Sequence, residues 1–334
     1  MSSKKLRAVG IVSLVLVVLL AVALMGCQSG TNNAPAAETP QAGTSDNGGT
    51  SSGDAPLQVA FLISNMSNEF MQGLVSSVEM AGTERGVEVT SFSADFDFAK
   101  QVSQIETAVN QGFDGIIVDA AQAEAVVPAI RYAQDAGIPI ITLHEDATEG
   151  VADAFVGVNF VQGGQMKMEQ CVKDLGGSGD IAIMYGGMGH EAQILISSGY
   201  YPVLEANPDI NVIFEDTGNW AAEDAAALTE SWLASGKHLD AIVCNNDGMA
   251  VGVISVLRAA DMAGKIKVYG LDAASEMLTY ISEGYANGTI LTDRDGEGRA
   301  GIDIIIKMVN GEPFDKLVLI DMILITPENV KDFM

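Results

Sequence analysis

From Leu57 onward the chain alternates short runs of β-branched and aliphatic residues with segments whose apolar positions recur every three or four residues. That alternation leaves few folds open, because each run must be sheet and each periodic segment must be helix. Val59-Ala60-Phe61-Leu62-Ile63 precedes Phe70, Leu74, Val78 and Ala81 at helical spacing, and Val87 to Phe92 precedes Val102, Ile105 and Val109. Further strand-like runs fall at Gly115 to Val118, Pro139 to Leu143, Ile181 to Met184, Val212 to Glu215, Ala241 to Cys244 and Val268 to Leu271. Continuous apolar runs without polar alternation mark strands covered on both faces, the signature of parallel sheets in α/β layers. About 280 residues carry the pattern, more than a single core usually organises, so two lobes with a cleft between them are expected.

The chain begins differently. Lys4, Lys5 and Arg7 precede an uncharged apolar run, Gly10 to Met25, which ends in Leu24-Met25-Gly26-Cys27. A basic start, an apolar core and a small residue before a cysteine are the parts of a secretory signal, and Leu-x-Gly-Cys resembles the lipobox of bacterial lipoproteins. The expectation is a signal peptide over 1–26, with Cys27 as the mature N-terminus carrying acyl chains such as palmitate. A transmembrane helix is the rival, since the run approaches the roughly 20 residues needed to span a bilayer. Residues 28–54 are mostly Gln, Ser, Gly, Thr, Asn, Ala and Pro, too poor in large apolar side chains to fold. They favour cleavage and read, within 27–56, as a flexible tether to a membrane-anchored extracytoplasmic body.

The formal net charge is −27, and removal of residues 1–26 takes away Lys4, Lys5 and Arg7 but no acid. Such a balance excludes nucleic acid as a partner, because phosphate binding needs clustered Lys and Arg. Beyond Cys27 only Cys171 and Cys244 remain, one in a helical segment and one ending a strand run, and both read as buried free thiols. His144, His190 and His238 are scattered without metal-ligand spacing, so neither a metal nor a cofactor is expected.

Ligands of open parallel sheets bind beyond the carboxyl ends of the strands. The residues just past each run are Ser64 to Phe70, Asp119, His144-Glu145-Asp146, Asn159, the Gly186 to Glu191 loop, Asn219-Trp220, Asn246-Asp247, Asp272 and Thr292-Asp293. Carboxylates and amides exchange hydrogen bonds with hydroxyls, and an aromatic face covers the C–H face of a ring. The set suits a neutral polyhydroxylated ligand. Competing readings stand beside it: Asp247 as the N-cap of a helix beginning at Gly248, Trp220 as a half-buried surface residue, Asp293 as part of an Asp-Arg-Asp-Gly turn.

The same residues carry a resemblance to the type I periplasmic sugar-binding proteins typified by the ribose-binding protein. Val59 to Ser64 followed by Asn68 and Phe70-Met71 is similar to the family's opening strand and Ser…Asn-x-Phe-Phe loop, with Met71 for the second Phe. Val156-Gly157-Val158-Asn159 with Gly164 resembles the first crossing between lobes, and Trp220 falls at an aromatic stacking position. Asn245 to Gly252 matches x-Asn-Asp-x-Met-Ala-x-Gly, and Gly270-Leu271-Asp272 resembles Gly-Phe-Asp. Thr289 to Gly298 resembles the return crossing of the inositol-binding branch, with Thr292 for the usual Gln. Two departures stand out: His144-Glu145 replaces an Asp-Arg pair, and Ile194 or a neighbour replaces a second arginine.

The resemblance implies an α/β fold of two doubly wound parallel-sheet lobes joined by a three-segment hinge, the periplasmic binding protein-like I arrangement. Lobes of 57–158 plus 294–320 and 159–293 plus 321–334 are expected. Function is then capture of a small sugar or polyol, of the ribose, inositol or amino-polyol class, by hinge closure, for an ABC permease. Ligand contacts are expected from Ser64, Asn68, Phe70, Met71, Asp119, His144, Glu145, Asn159, Trp220, Asn246, Asp247, Asp272 and Thr292, in a monomer. With both arginines missing and Glu145, Asp247 and Asp272 converging, the pocket should be net negative, disfavouring acidic sugars. A receptor serving chemotaxis or a sensor kinase is the alternative; the repressor branch of the fold carries a DNA-binding helix-turn-helix where this chain has its lipobox.

Enzyme motifs fail on inspection. His190-Glu191-Ala192-Gln193-Ile194 starts like a zinc-protease helix but lacks the second histidine. Gly187 to Ala192 meets a loose G-x-G-x-x-A pattern in the second half of the chain, away from the first strand turn, and neither a G-x-S-x-G elbow nor a P-loop is present. No catalytic role is expected.

Overall fold

The computed structural model describes residues 55–334. The expected signal at 1–26, Cys27 and the tether through residue 54 lie outside the described residues. No helix among the described residues is long and apolar enough to cross a membrane.

The chain opens with β1 (Leu57–Ile63), α1 (Glu69–Glu84), β2 (Val87–Ser93), α2 (Phe98–Gln111), β3 (Gly115–Val118), α3 (Val127–Asp135), β4 (Ile140–His144) and β5 (Ala154–Val158). It continues through α4 (Phe160–Asp174), β6 (Gly179–Tyr185), α5 (Glu191–Ala206), β7 (Ile210–Thr217), α6 (Ala222–Ala234), β8 (Ala241–Cys244), α7 (Asp247–Ala259), β9 (Lys267–Tyr269) and α8 (Ser275–Glu283). It closes with β10 (Thr289–Leu291), α9 (Arg294–Val309), β11 (Leu317–Ile320) and β12 (Ile323–Ile325). One sheet has the order β11-β5-β4-β3-β1-β2 and the other β7-β6-β8-β9, every neighbouring pair parallel. The chain leaves the first sheet after β5, returns in α9, which packs on α1, and leaves again after β11 so that β12 pairs antiparallel with β10. Two doubly wound lobes with three crossings are the result.

Alternate side chains of each strand feed opposite layers. Phe61 and Ile63 pack with Leu74, Val78 and Ile302 on one face, while Ala60 and Leu62 pack with Ile105 and Ile130 on the other. In the second sheet Met184 joins Val253 and Ile254, and Ile183 joins Met168, Ile196 and Tyr200. Each such aliphatic side chain contributes roughly 1.5–3 kcal/mol when fully buried. The helices α4 and α5 meet backbone to backbone: a Cβ on Gly164 would lie 2.0 Å from the Ile196 carbonyl oxygen, and one on Gly199 would lie 2.2 Å from that of Val161. Only glycine permits that approach.

All eight runs foreseen as strands are strands, with ends displaced by a residue or two, and Cys171 and Cys244 are buried free thiols. Val156 to Asn159 is a strand end of the first sheet rather than the crossing itself, which begins at the next helix. Three strands, β10, β11 and β12, have no counterpart in the sequence reading. Each has three or four residues, and β11 leaves Leu317 and Leu319 exposed, so no buried run announces it.

Candidate functional site

The carboxyl ends of both sheets face one cleft of about 470 Å³, inside the ~300–1,000 Å³ typical of small-molecule sites. The first lobe lines it with Ser64, Asn65, Asn68, Phe70, Met71, Phe96, His144 and Glu145. The second contributes Phe160, His190, Ala192, Ile196, Trp220, Asn245, Asn246, Leu271 and Asp272. The walls touch across it: ring centroids of Phe96 and His190 lie 4.9 Å apart and those of His144 and Phe160 5.2 Å.

The loops that carry these groups are pinned by buried polar side chains. Asp119, fully buried at the end of β3, accepts from the amides of Ser64 (2.9 Å) and Glu145 (3.2 Å), tying together the loops after β1 and β4. Asp247 accepts from Thr289 Oγ1 (2.7 Å) and the Ala274 amide (2.8 Å). Asn245 accepts from the Gly186 amide (2.8 Å) and donates to the Tyr200 hydroxyl (3.0 Å). Lys167, also fully buried, donates to the Cys244 carbonyl and to that of Asn245 at 3.4 Å. Asn68 and Asn246 cap α1 and α7 through Oδ1, accepting from Met71 and Met249 amides at 3.0 Å. The use of Oδ1 for capping leaves Nδ2 of each to serve the cleft.

Four lining residues are held at positive φ: Phe96 at 61°, His144 at 68°, Trp220 at 64° and Asp272 at 130°. Such backbone costs of order 1–3 kcal/mol per residue and persists where the surroundings fix it, typically at functional sites. The Trp220 indole lies against Gly186, where a Cβ would meet the ring at 2.2 Å, and Nε1 donates to His190 Nδ1 at 3.2 Å.

Electrostatically the cleft is acid-rich. Burial pulls the His144 imidazole down, but the charge and hydrogen bond of Glu297 (Nδ1 to Oε2, 3.1 Å), with Asp119 and Glu145, more than offset it and place it at about 9. Burial, then the charge of Asp119, lifts Glu145 to about 8. Burial and then Asp247 raise Asp272 well above the usual carboxylate range, whereas burial lowers His190.

Of the residues singled out from sequence, Ser64, Asn68, Phe70, Met71, His144, Glu145, Trp220, Asn246 and Asp272 are brought together on the cleft wall. Four are not. Asp119 and Asp247 are consumed by the backbone contacts described above. The helix expected to start at Gly248 starts at Asp247, with Asn246 as its cap. Asn159 is exposed and caps α4, accepting from the Gln162 amide at 3.1 Å. Thr292 is buried beside the return crossing, its hydroxyl without a partner among the described residues. Asp293 caps α9, and Ile194 is 53% exposed and away from the cleft, where Ala192 and Ile196 stand instead. Sequence reading missed Phe96 and Phe160. Phe96 follows β2 just as Glu145 follows β4, so the strand-end rule would have found it had the rule been applied to that run.

A two-lobed parallel α/β body with an aromatic and carboxylate cleft at its strand ends defines the class of hinged solute-binding proteins. The chain belongs to the periplasmic binding protein family: the family described as a periplasmic binding protein domain matches residues 59–313. This is a family of extracytoplasmic, non-enzymatic substrate-binding components of transporters. A Rhizobium meliloti protein designated, provisionally, as rhizopine-binding is 30% identical, over 76% of this chain and 85% of its own. A xylitol-binding protein of Mycolicibacterium smegmatis is 28% identical, over 85% and 81%. An ABC transporter solute-binding protein of Bacillus halodurans, solved with bound myo-inositol, is 32% identical, covers 84% of this chain and 99% of its own, and superposes with a TM-score of 0.80.

Proposed function

We propose that this protein captures a cyclic polyol of the inositol class by closure of its two lobes and presents it to an ABC importer. The observation that carries the reading is the cleft itself. Aromatic rings from both lobes and hydrogen-bonding amides and acids meet around one space sized for a monosaccharide-like ring. The likeness to the myo-inositol complex supports the same class. Ser64, Asn68, Asn246 and Asp272 serve hydroxyls, while Phe70 and Trp220 cover the ring face. About four hydrogen bonds involving charged groups, at roughly 1.5–3 kcal/mol each, match the roughly 8 kcal/mol of micromolar affinity. Closure follows because only the closed form brings both walls to the ligand.

In this reading the lobes comprise 57–158 plus 294–320 and 159–293 plus 321–334, and Cys27 anchors a monomer to the membrane through acyl chains and the 27–56 tether. The bound molecule is released unchanged. Mass spectrometry of small molecules that copurify with the protein, followed by a thermal-shift panel of cyclitols, pentoses and linear polyols, tests the reading. Recovery of an intact cyclitol with the largest stabilisation is expected. Preferential stabilisation by a pentose, or recovery of a chemically altered ligand, refutes it.

A further inference from the structure

Resting on the polyol reading above, this inference concerns the corner of the cleft where the loop after β4 meets the N-terminus of α5. Glu145 stands on the wall there, with Asp119 behind it, Glu191 opposite and Asp146 adding its charge to Glu191. No lysine or arginine lines the cleft. The nearby cations are engaged: His144 is held by Glu297, and Lys167 by the carbonyls of Cys244 and Asn245. His190, neutral through burial, accepts from Trp220. Only the Ala192 amide moderates Glu145 by hydrogen bonding, and Glu191 Oε2 is buried with no partner among the described residues. Asp272, across the cleft, has Asp247, His144 and Lys167 around it and is better compensated.

When empty, such a corner sheds charge by taking up protons, since burial and mutual repulsion both disfavour carboxylates. Glu145 is lifted to about 8 by burial and Asp119, and Glu191 to about 7 by burial and Asp146. A ligand cation does the same task as the proton. As an ammonium group enters, the carboxyl O–H breaks, its proton passes to solvent and the carboxylate pairs with the ammonium, so charge balances. The faces of Phe70 and Trp220 favour a cation as well.

We infer that the cleft selects an amino-substituted cyclitol, whose ammonium group pairs with Glu145 and is bound with release of a proton. Calorimetric titration of the full chain with myo-inositol, 1-amino-1-deoxy-myo-inositol and glucuronate, in two buffers of different ionisation enthalpy, tests this. At pH 7.5 the amine is expected to bind about tenfold more tightly than its parent (~1.4 kcal/mol) and to release close to one proton, with none released by the parent. The preference grows between pH 6 and 8. Glu145→Gln reduces it to below about threefold, with Glu191→Gln, melting normally, as the second variant that lowers it. Equal affinities, absence of proton release, tighter glucuronate binding or a preference that survives in Glu145→Gln overturns the inference and leaves the polyol reading standing. Failure of both cyclitols to bind overturns both.

Discussion

Replacement of Glu297 by glutamine tests the electrostatic floor of the cleft with almost no change of shape. Glu297 is fully buried on α9, and its Oε2 accepts from His144 Nδ1 at 3.1 Å, with the imidazole ring between Phe70 and Phe160. The imidazole at about 9, against an ordinary 6.5, corresponds to about 3 kcal/mol of preference for the folded state when His144 is charged. A raised folded-state value contributes stability fully below about pH 6.5 and loses it as pH rises through about 9. Glu297→Gln therefore costs about 3 kcal/mol at pH 6 and little at pH 9.5. For a body of this size, at about 2 °C per kcal/mol, the melting temperature drops by about 6 °C at the lower pH. Thermal melts of both proteins at the two pH values, with an NMR titration of the His144 ring, measure it. Equal losses at both pH values, or a ring that still titrates near 9 in the variant, refute the reasoning.

Other consequences are direct. Asn245→Ala leaves the Gly186 amide and the Tyr200 hydroxyl unpaired in a fully buried site, so a loss of about 2–3 kcal/mol is expected by urea titration. Gly164→Ala drives a methyl into the Ile196 carbonyl, and loss of soluble folded protein, or a drop in melting temperature above about 8 °C, is expected. Cys171 and Cys244 are buried, burial pushing both thiols up and that of Cys244 to about 12, so neither reacts with Ellman's reagent at pH 8 until denaturant is added. Between pH 5 and 8 the ligand-free protein loses stability as Glu145 and Glu191, raised to about 8 and 7, are forced to ionise; melts across that range give the slope.

The buried strands were legible because a parallel strand covered on both faces must be apolar throughout, as Val59 to Ile63 and Ala241 to Cys244 are. β10, β11 and β12 were not, since three-residue pairings at a crossing depend on what the rest of the chain brings beside them. Within the site, chemistry was readable and direction was not. Asp247 and Asp272 look alike in sequence; one turns inward to Thr289 and Ala274 and the other faces the cleft. Asparagines at helix starts carry the same ambiguity, resolved against ligand contact for Asn159 by its exposure. The left-handed backbone of Phe96, His144 and Trp220 had no signal at all, because none of the three is a residue that favours it.

Asp119 and Asp247 spend their carboxylates on backbone amides and a hydroxyl, so the loops keep their shape without help from whatever occupies the space between them. Glu145, Asp272 and Trp220 ride on those fixed loops as interchangeable heads. Evolution or an engineer can therefore retune the protein to a new solute by exchanging two or three side chains, with the frame that presents them left intact.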